Sequence, residues 1–159
     1  MKRRFLHSKL HKATITSTNI DYEGSCLIDI SILNAAKILP FETIDIYNVT
    51  NGERLSTYAI PGPADSREIC ANGACCHKIN PKDEVIICSY VDLSVEEYEN
   101  HKPTVLHLND KNEIVARSGN KVKMAWFMLV SMYNTNFWYD NNLGSTLWIN
   151  ITLMTLEAS

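Results

Sequence analysis

The sequence predicts a mainly β fold, a small barrel made of many short strands with few helices. Three observations support this fold class. β-Branched residues recur in roughly alternating segments such as KATITSTNI and SCLIDISI, which is typical of strands. A second pair of alternating segments is joined by Asn51-Gly52, and Asn-Gly is a strong hairpin signal. Segments with helical periodicity are short and few.

Taken in chain order, KATITSTNI and SCLIDISI are predicted strands, with Gly24 between them. SILNAAKIL then changes its hydrophobic period, begins at Ser31 and ends before Pro40, which predicts a short helix. ETIDIYNVTNGERLSTYAI predicts the hairpin, with a tight type I′ turn at Asn51-Gly52. On its second strand, alternation places on one face Arg54, Ser56 and Tyr58, and on the other Leu55, Thr57 and Ala59.

The remaining elements are shorter. PGPADSRE is a loop by composition, and EICANGACCHKI begins as a short strand and contains a second Asn-Gly pair. DEVIICSYV predicts a buried strand and SVEEYEN one or two helical turns, followed by short strands at TVLHL and EIV.

The length and composition indicate one domain and a C-terminal extension. A chain of 159 residues with 45% hydrophobic content can bury one core. We assign the domain to residues 1–116 and an extension of unknown role to 117–159, where the character of the sequence changes. Its apolar runs VKMAWFMLVSMY and TLWINITLM are shorter than the ~18–20 residues that span a bilayer, so a packed or partner-facing segment is favoured over membrane contact.

Charge and cysteine content exclude several classes of protein. A net charge of −3 gives no general attraction for nucleic acid or an anionic membrane. The basic N-terminus lacks the apolar stretch of a secretory signal, which predicts a cytoplasmic location. Five cysteines fit neither a disulfide framework nor a paired C-x-x-C zinc site. We expect the cysteines to be small buried residues in a reducing compartment. We also expect the protein to bind no metal.

Gly24-Ser25 lies between a tyrosine and an alternating apolar run, and a turn is the ordinary interpretation of such a pair. However, the Ser25 hydroxyl lies one residue downstream of the Gly24 carbonyl, which is the arrangement an N-to-O acyl shift requires. Elimination from the resulting ester leaves dehydroalanine, and hydrolysis of dehydroalanine leaves a pyruvoyl group. A pyruvoyl carbonyl forms a Schiff base with an amine and accepts electrons as pyridoxal phosphate does.

Four motifs in order, SKLHKATIT, YEGSCLIDI, NGERLSTYAI and ICANGACC, resemble the pyruvoyl-dependent aspartate 1-decarboxylase family, which makes β-alanine for pantothenate. The resemblance runs from about residue 4 to 116. It implies a six-stranded double-psi β-barrel that assembles as a homotetramer with active sites between subunits. It also implies self-cleavage into 1–24 and 25–159, L-aspartate as the substrate, and a covalent pyruvoyl cofactor made from Ser25, with neither metal nor pyridoxal phosphate.

The resemblance also implies roles for individual residues. Ser25 becomes the pyruvoyl group that forms the Schiff base, and Tyr58 returns a proton after decarboxylation. Two cations, Lys9 and Arg54, bind the substrate carboxylates, and the pocket is lined by Asn72, Gly73 and Ala74. Self-processing is supported by Thr57, which donates to the developing oxyanion, and by two residues near the cleavage site, His11 and Tyr22.

The chain departs from the family pattern at two places within the domain, residues 117–159 match nothing in the family, and alternatives stay open. Cys75-Cys76 stand where the family usually has alanines, so a thiol could crowd the pocket or make it sensitive to oxidation. The loop GPADSREIC lacks the family's usual glycines. One alternative is a pyruvoyl decarboxylase of another small amino acid. The other is an uncleaved, non-catalytic β-barrel that serves as a binding module. The need for a maturation helper is also open.

Overall fold

The first strand, β1, is longer than the sequence patterns predict. The computed structural model describes residues 1–23 and 25–118, and in it β1 spans Arg3–Thr14. The basic residues at its start predicted no strand, because their side chains are exposed and give no alternation of burial. Pairing shifts between Leu6 and Ser8 and between Leu10 and Ala13 mark bulges, and Lys12 within the second takes a positive φ of 62°.

The segment before and after the predicted cleavage site forms β2 (Ser17–Asn19) and β3 (Cys26–Asp29), followed by helix α1 (Ile30–Ala36). The predicted helix is confirmed, but its cap is Asp29 and not Ser31. The Asp29 carboxylate accepts a hydrogen bond from the Ser31 N–H at 2.7 Å, which satisfies a backbone donor of the first turn. The helix ends at Lys37, which is left-handed with φ 61°.

The predicted hairpin is confirmed as β4 (Thr43–Asn48) and β5 (Arg54–Gly62), which pair antiparallel. The predicted type I′ turn is wrong, because that turn needs a positive φ at both central residues and only Gly52 has one, at 82°. The loop between the strands is five residues long. The Asn48 side chain organises it by accepting hydrogen bonds from the N–H groups of Thr50 and Asn51, at 3.0 and 3.3 Å.

The second half of the domain follows the predicted order. Strand β6 (Ile69–Asn72) leads into a short 3₁₀ helix at Gly73–His77, and β7 spans Glu84–Leu93. Helix α2 (Val95–Asn100) begins with a capping box between Ser94 and Glu97. Strands β8 (Thr104–Leu108) and β9 (Ile114–Ser118) complete the described residues.

The nine strands lie in one barrel-like sheet with the order β2-β6-β3-β5-β4-β7-β1-β8-β9. The predicted mainly β fold with few short helices is confirmed; the family resemblance implied six strands for its barrel, and the described residues form nine. The core is aliphatic and is contributed by most of the strands and by α1. Its largest fully buried side chains include Leu10, Ile28, Leu33, Ile44, Ile46, Ile69, Ile87 and Leu106.

The predicted domain boundary at residue 116 falls inside β9, where Arg117 pairs with Leu106 and Ser118 with Val105. The rest of the predicted C-terminal extension lies outside the described residues, as does Gly24. Within the described part of the chain, no helix combines the length and the apolar composition needed to cross a membrane.

Candidate active site

Ser25 immediately precedes β3 and is held between the two strands that flank β3. Its side chain is buried, with 4% of the residue surface exposed. Its hydroxyl donates a short hydrogen bond to the backbone carbonyl of Tyr58 on β5. Its own carbonyl accepts a hydrogen bond from the Asn72 N–H at 2.7 Å. Because β3 pairs parallel with β5 and antiparallel with β6, the position of Ser25 is determined by sheet pairing on both sides.

A cavity of about 390 Å³ opens beside Ser25. This volume is within the usual range for a small-molecule site. It brings together five of the predicted site residues, which come from the position before β3, from β5 and β6, and from the 3₁₀ helix. The lining consists of Ser25, Leu55, Ser56, Thr57, Tyr58, Asn72, Ala74, Cys75 and Lys78. The separate sequence motifs therefore converge on one concave surface of the fold.

Tyr58 and Thr57 follow the alternation that the sequence predicts for β5, with Tyr58 on the more exposed face. The Tyr58 residue is 41% exposed, and its ring lies 6.3 Å from the ring of Phe41, centroid to centroid. The side chain of Thr57 acts on the Cys75 thiol and lowers its pKa. Both residues line the cavity beside Ser25, and alternation along β5 directs their side chains to opposite faces of the strand.

The second Asn-Gly pair, Asn72-Gly73, lies where β6 ends, and its asparagine lines the cavity. Asn72 is 2% exposed, and its side-chain oxygen accepts a hydrogen bond from the Cys70 thiol at 3.1 Å. Gly73 is not among the lining residues. Its positive φ of 54° instead turns the chain from β6 into the 3₁₀ helix, and this turn brings Ala74 and Cys75 to the cavity wall.

Cys75 brings a thiol to the wall, as its replacement of a family alanine led us to expect. Burial raises the pKa of this thiol, an effect that the side chain of Thr57 partly opposes. The protonated form is a weak nucleophile, so the thiol occupies volume without acting as a reactive base. All five cysteines are free, four of them buried, which confirms the interpretation of the cysteines as small buried residues.

Two predicted substrate-binding cations, Lys9 and Arg54, are not among the residues that line this cavity. Strand pairing places Lys9 opposite Cys88, Cys88 opposite Asp45, and Asp45 opposite Ser56. Lys9 therefore lies three strands from β5, which is roughly 14 Å at the usual strand spacing of about 4.8 Å. Within one chain, neither Lys9 nor Arg54 lines the cavity that Ser25 lines.

His11 and Tyr22, the predicted processing residues near the cleavage site, also lie outside the cavity lining. His11 pairs with His107 across β1 and β8, and their rings meet edge to face at 5.2 Å. Burial and the neighbouring Lys9 lower the pKa of His11, and its Nδ1 atom is buried without a hydrogen-bond partner in the described residues. Tyr22 is 45% exposed in the turn before Gly24.

Lys78 lines the cavity, although no sequence pattern identified it as a site residue. Among the lining residues named above, it is the one with a positively charged side chain. Its ammonium group lies 2.6 Å from a carboxylate oxygen of Glu53. This hydrogen bond, together with the charge of Lys78, lowers the pKa of Glu53. A lysine six residues after Asn72 carries no pattern that would have identified it. Among the described residues, no group of three or more histidine, cysteine or carboxylate side chains has an arrangement that would hold a metal ion.

Comparison with known proteins identifies the family. The family model described as aspartate decarboxylase matches residues 1–115. The chain belongs to the aspartate decarboxylase family. It is 52% identical over 117 residues to the aspartate 1-decarboxylase of Thioalkalivibrio sulfidiphilus, covering 74% of this chain and 92% of that protein. The enzymes of the same name from Ralstonia nicotianae and Tolumonas auensis are 47% and 48% identical, over 72% and 74% of this chain and 95% and 94% of theirs.

The region matched by the family model contains the whole lining of the cavity. The match ends within β9, close to the end of the described residues, so it includes every residue of the cavity lining. Residues 116–159 lie outside it. The resemblance stated from the four sequence motifs is therefore confirmed at the level of the family.

Proposed function

We propose that this chain is a self-processing L-aspartate α-decarboxylase that produces β-alanine and carbon dioxide for pantothenate and coenzyme A biosynthesis. One observation carries the proposal: the Ser25 hydroxyl is buried at the wall of a small cavity, in a member of the aspartate decarboxylase family. The relatives named aspartate 1-decarboxylase support aspartate as the substrate.

Processing uses the chain's own atoms. Ser25 Oγ attacks the carbonyl carbon of Gly24, the C–N bond between the residues breaks, and the Ser25 nitrogen takes a proton. The resulting ester loses the Gly24 carboxylate by β-elimination, and water then releases ammonia and leaves a ketone at position 25. Thr57 lines the same cavity, and its hydroxyl stabilises the oxyanion that forms during the attack.

The surroundings of Ser25 fit the pyruvoyl group that processing would create. The residue faces a cavity large enough for a small amino acid, and its carbonyl is already held by the Asn72 N–H. The group supplies the electron sink for decarboxylation. Asn72 and Ala74 shape the pocket around it, and Tyr58 holds the proton that is delivered to the substrate carbon once carbon dioxide has left.

Lys9 and Arg54 bind the two carboxylates of the substrate, and we assign them to the cavity of a neighbouring subunit in a homotetramer. This assignment follows from their absence from the cavity of their own chain. It also agrees with the apolar surface beside Tyr58, where Phe41 is 70% and Leu39 69% exposed. Large exposed apolar side chains of this kind are typical of a protein interface.

The cytoplasm is the proposed location, because free cysteines persist in a reducing compartment. The second candidate function is a pyruvoyl decarboxylase that acts on another small amino acid. The lining of the cavity does not distinguish aspartate from its homologues, because the Lys78 ammonium in that lining is paired with the Glu53 carboxylate.

Release of carbon dioxide from aspartate, glutamate and cysteine sulfinate tests the proposal. The purified chain is expected to act on aspartate with the highest kcat/KM, and Ser25→Ala is expected to release none from any of the three. A higher kcat/KM for glutamate or cysteine sulfinate would make that acid the substrate in place of aspartate. Equal activity in Ser25→Ala would refute the pyruvoyl mechanism.

A further inference from the structure

The guanidinium of Arg54 is stacked on an aromatic ring. Arg54 and Tyr47 lie directly opposite each other in the β4–β5 pair, and Arg54 Cζ is 5.1 Å from the centroid of the Tyr47 ring. This distance is within the range of a cation–π interaction. No salt bridge to Arg54 is recorded among the described residues. The ring therefore constrains the guanidinium while its N–H groups stay available for a ligand.

Tyr47 is itself held by a second tyrosine. The hydroxyls of Tyr47 and Tyr90 share a hydrogen bond of 2.8 Å across β4 and β7. This hydrogen bond and burial raise the pKa of Tyr90, so the Tyr90 hydroxyl stays protonated. The Tyr90 ring has its own cation, with Arg4 Cζ 5.4 Å from its centroid. A continuous series of contacts across the four neighbouring strands β5, β4, β7 and β1 therefore joins Arg54, Tyr47, Tyr90 and Arg4.

The same face of the sheet carries a carboxylate that would otherwise attract Arg54. Asp45 lies two residues before Tyr47 on β4 and is engaged by the Ser56 hydroxyl, which donates to it. Its other oxygen lies 3.5 Å from the Tyr47 hydroxyl. Because these hydroxyls satisfy Asp45, Arg54 is not drawn into an internal ion pair.

We propose that Tyr47 and Tyr90 form a clamp that positions Arg54 to receive a substrate carboxylate. The inference rests on the proposed function, in which Arg54 binds that carboxylate. Arginine is a long side chain that loses rotamer freedom when it binds a ligand, and an arginine already fixed in orientation loses less. Tyr47 and Tyr90 act through Arg54, so they are positioning residues that set affinity and not groups that take part in the bond-breaking step.

This arrangement predicts a defined pattern in steady-state kinetics. Tyr47→Leu removes the ring and should raise KM for aspartate roughly two- to fivefold, the range expected for one exposed cation–π contact, with kcat unchanged. Tyr47→Phe and Tyr90→Phe keep both rings but remove the shared hydrogen bond, so each should raise KM by a smaller factor. The double variant should raise KM no further than Tyr47→Phe alone, because that substitution already removes the shared hydrogen bond.

Two controls separate positioning from general damage. Tyr98→Phe removes a hydroxyl from an exposed tyrosine that stacks on Phe5, and its KM should equal that of the wild type. In an Arg54→Ala background, Tyr90→Phe should leave KM unchanged, because the clamp has no guanidinium to position. The extent of self-cleavage is recorded for every variant to confirm that the fold and the processing are intact.

The outcomes distinguish the clamp from the function on which it rests. If the wild type decarboxylates aspartate and Tyr47→Leu has the same KM as the wild type, the clamp is overturned and the proposed function stands. An effect of Tyr90→Phe that persists in the Arg54→Ala background also overturns it. A wild-type chain that releases no carbon dioxide overturns both proposals.

Discussion

The hydroxyl of Ser25 donates a hydrogen bond to the backbone carbonyl of Tyr58. This contact links the residue predicted to become the cofactor to the strand that carries the predicted proton donor. The Tyr58 carbonyl belongs to the backbone of β5, and Tyr58 is one of the residues that line the cavity beside Ser25. Processing and catalysis are therefore predicted to depend on different atoms of the same short segment.

Tyr58→Phe separates these two roles. The variant keeps the backbone carbonyl that accepts from Ser25 and should cleave itself normally, but it lacks the hydroxyl that returns the proton. We expect kcat to fall by about 10²–10⁴-fold, the usual contribution of a general acid. Intact mass reports cleavage and carbon dioxide release reports turnover. A fully active Tyr58→Phe would exclude the phenol as the proton donor.

Thr57 should affect processing more than turnover. Thr57→Val keeps the shape of the side chain but removes its hydroxyl, so self-cleavage should slow by about 10²–10³-fold, as for other oxyanion donors. Thr57→Ser keeps the hydroxyl and serves as the matched control, with cleavage close to that of the wild type. The time course of the two fragments on a denaturing gel measures both. Equal cleavage rates in the valine and serine variants would remove Thr57 from the mechanism.

Asp29 is predicted to stabilise the loop beside the site. Its buried carboxylate accepts hydrogen bonds from the N–H groups of Ser31, Asp65 and Arg67, at 2.7, 3.1 and 2.7 Å. Asp29→Ala should lower the free energy of unfolding by about 2–4 kcal/mol, because it leaves these donors without a charged acceptor. Denaturant titration in the Ser25→Ala background, where every chain is unbroken, measures this.

The control for Asp29 is Asp110→Ala, at an exposed turn residue with no recorded side-chain hydrogen bond among the described residues. It should change the free energy of unfolding by no more than about 0.5 kcal/mol. Equal effects of the two substitutions would mean that the Asp29 network contributes nothing specific.

His11 predicts a pH dependence of stability. Burial and the charges of Lys9, His107 and Lys12 lower its pKa below the ordinary value of 6.5, with Glu84 acting in the opposite direction. The unfolded chain therefore takes up a proton at a higher pH than the folded chain. The contribution of His11 to the free energy of unfolding is present above pH 6.5. It is lost as the pH falls from 6.5 through the lowered pKa of the folded chain.

Melting temperatures of the wild type and His11→Gln, measured between about pH 7.5 and about pH 5.5, test this dependence. The wild type should lose stability relative to the variant as the pH falls. Parallel curves for the two proteins would show that His11 has the same pKa in the folded and unfolded chains. Because both proteins contain the same other histidines, the difference between their two curves reports the substitution of His11.

Local patterns predicted most elements of the fold, because alternation and helix signals depend on residues close in sequence. The start of β1 was missed, since its exposed basic residues show no alternation even though they pair with β7. The turn type after β4 was wrong, because the loop has five residues in which only Gly52 takes a positive φ, and the Asn48 side chain accepts hydrogen bonds within it.

The site was predictable only in part. Asp65 and Arg67 adopt positive φ angles of 59° and 58° in the loop that lacks the usual glycines, and the distant Asp29 supplies the acceptor that holds them. Lys78 reaches the cavity through the 3₁₀ helix and is fixed by Glu53 from the hairpin loop. Both depend on contacts between residues far apart in sequence, which local patterns do not encode.

The central claim is that Ser25 converts its own backbone into the catalytic group, and intact mass measurement of the purified chain under denaturing conditions tests it most directly. The account predicts two polypeptides, 1–24 and 25–159, with the larger one lighter by one molecule of ammonia than a fragment beginning with serine. An active sample that contains only the unbroken chain of 159 residues would contradict it.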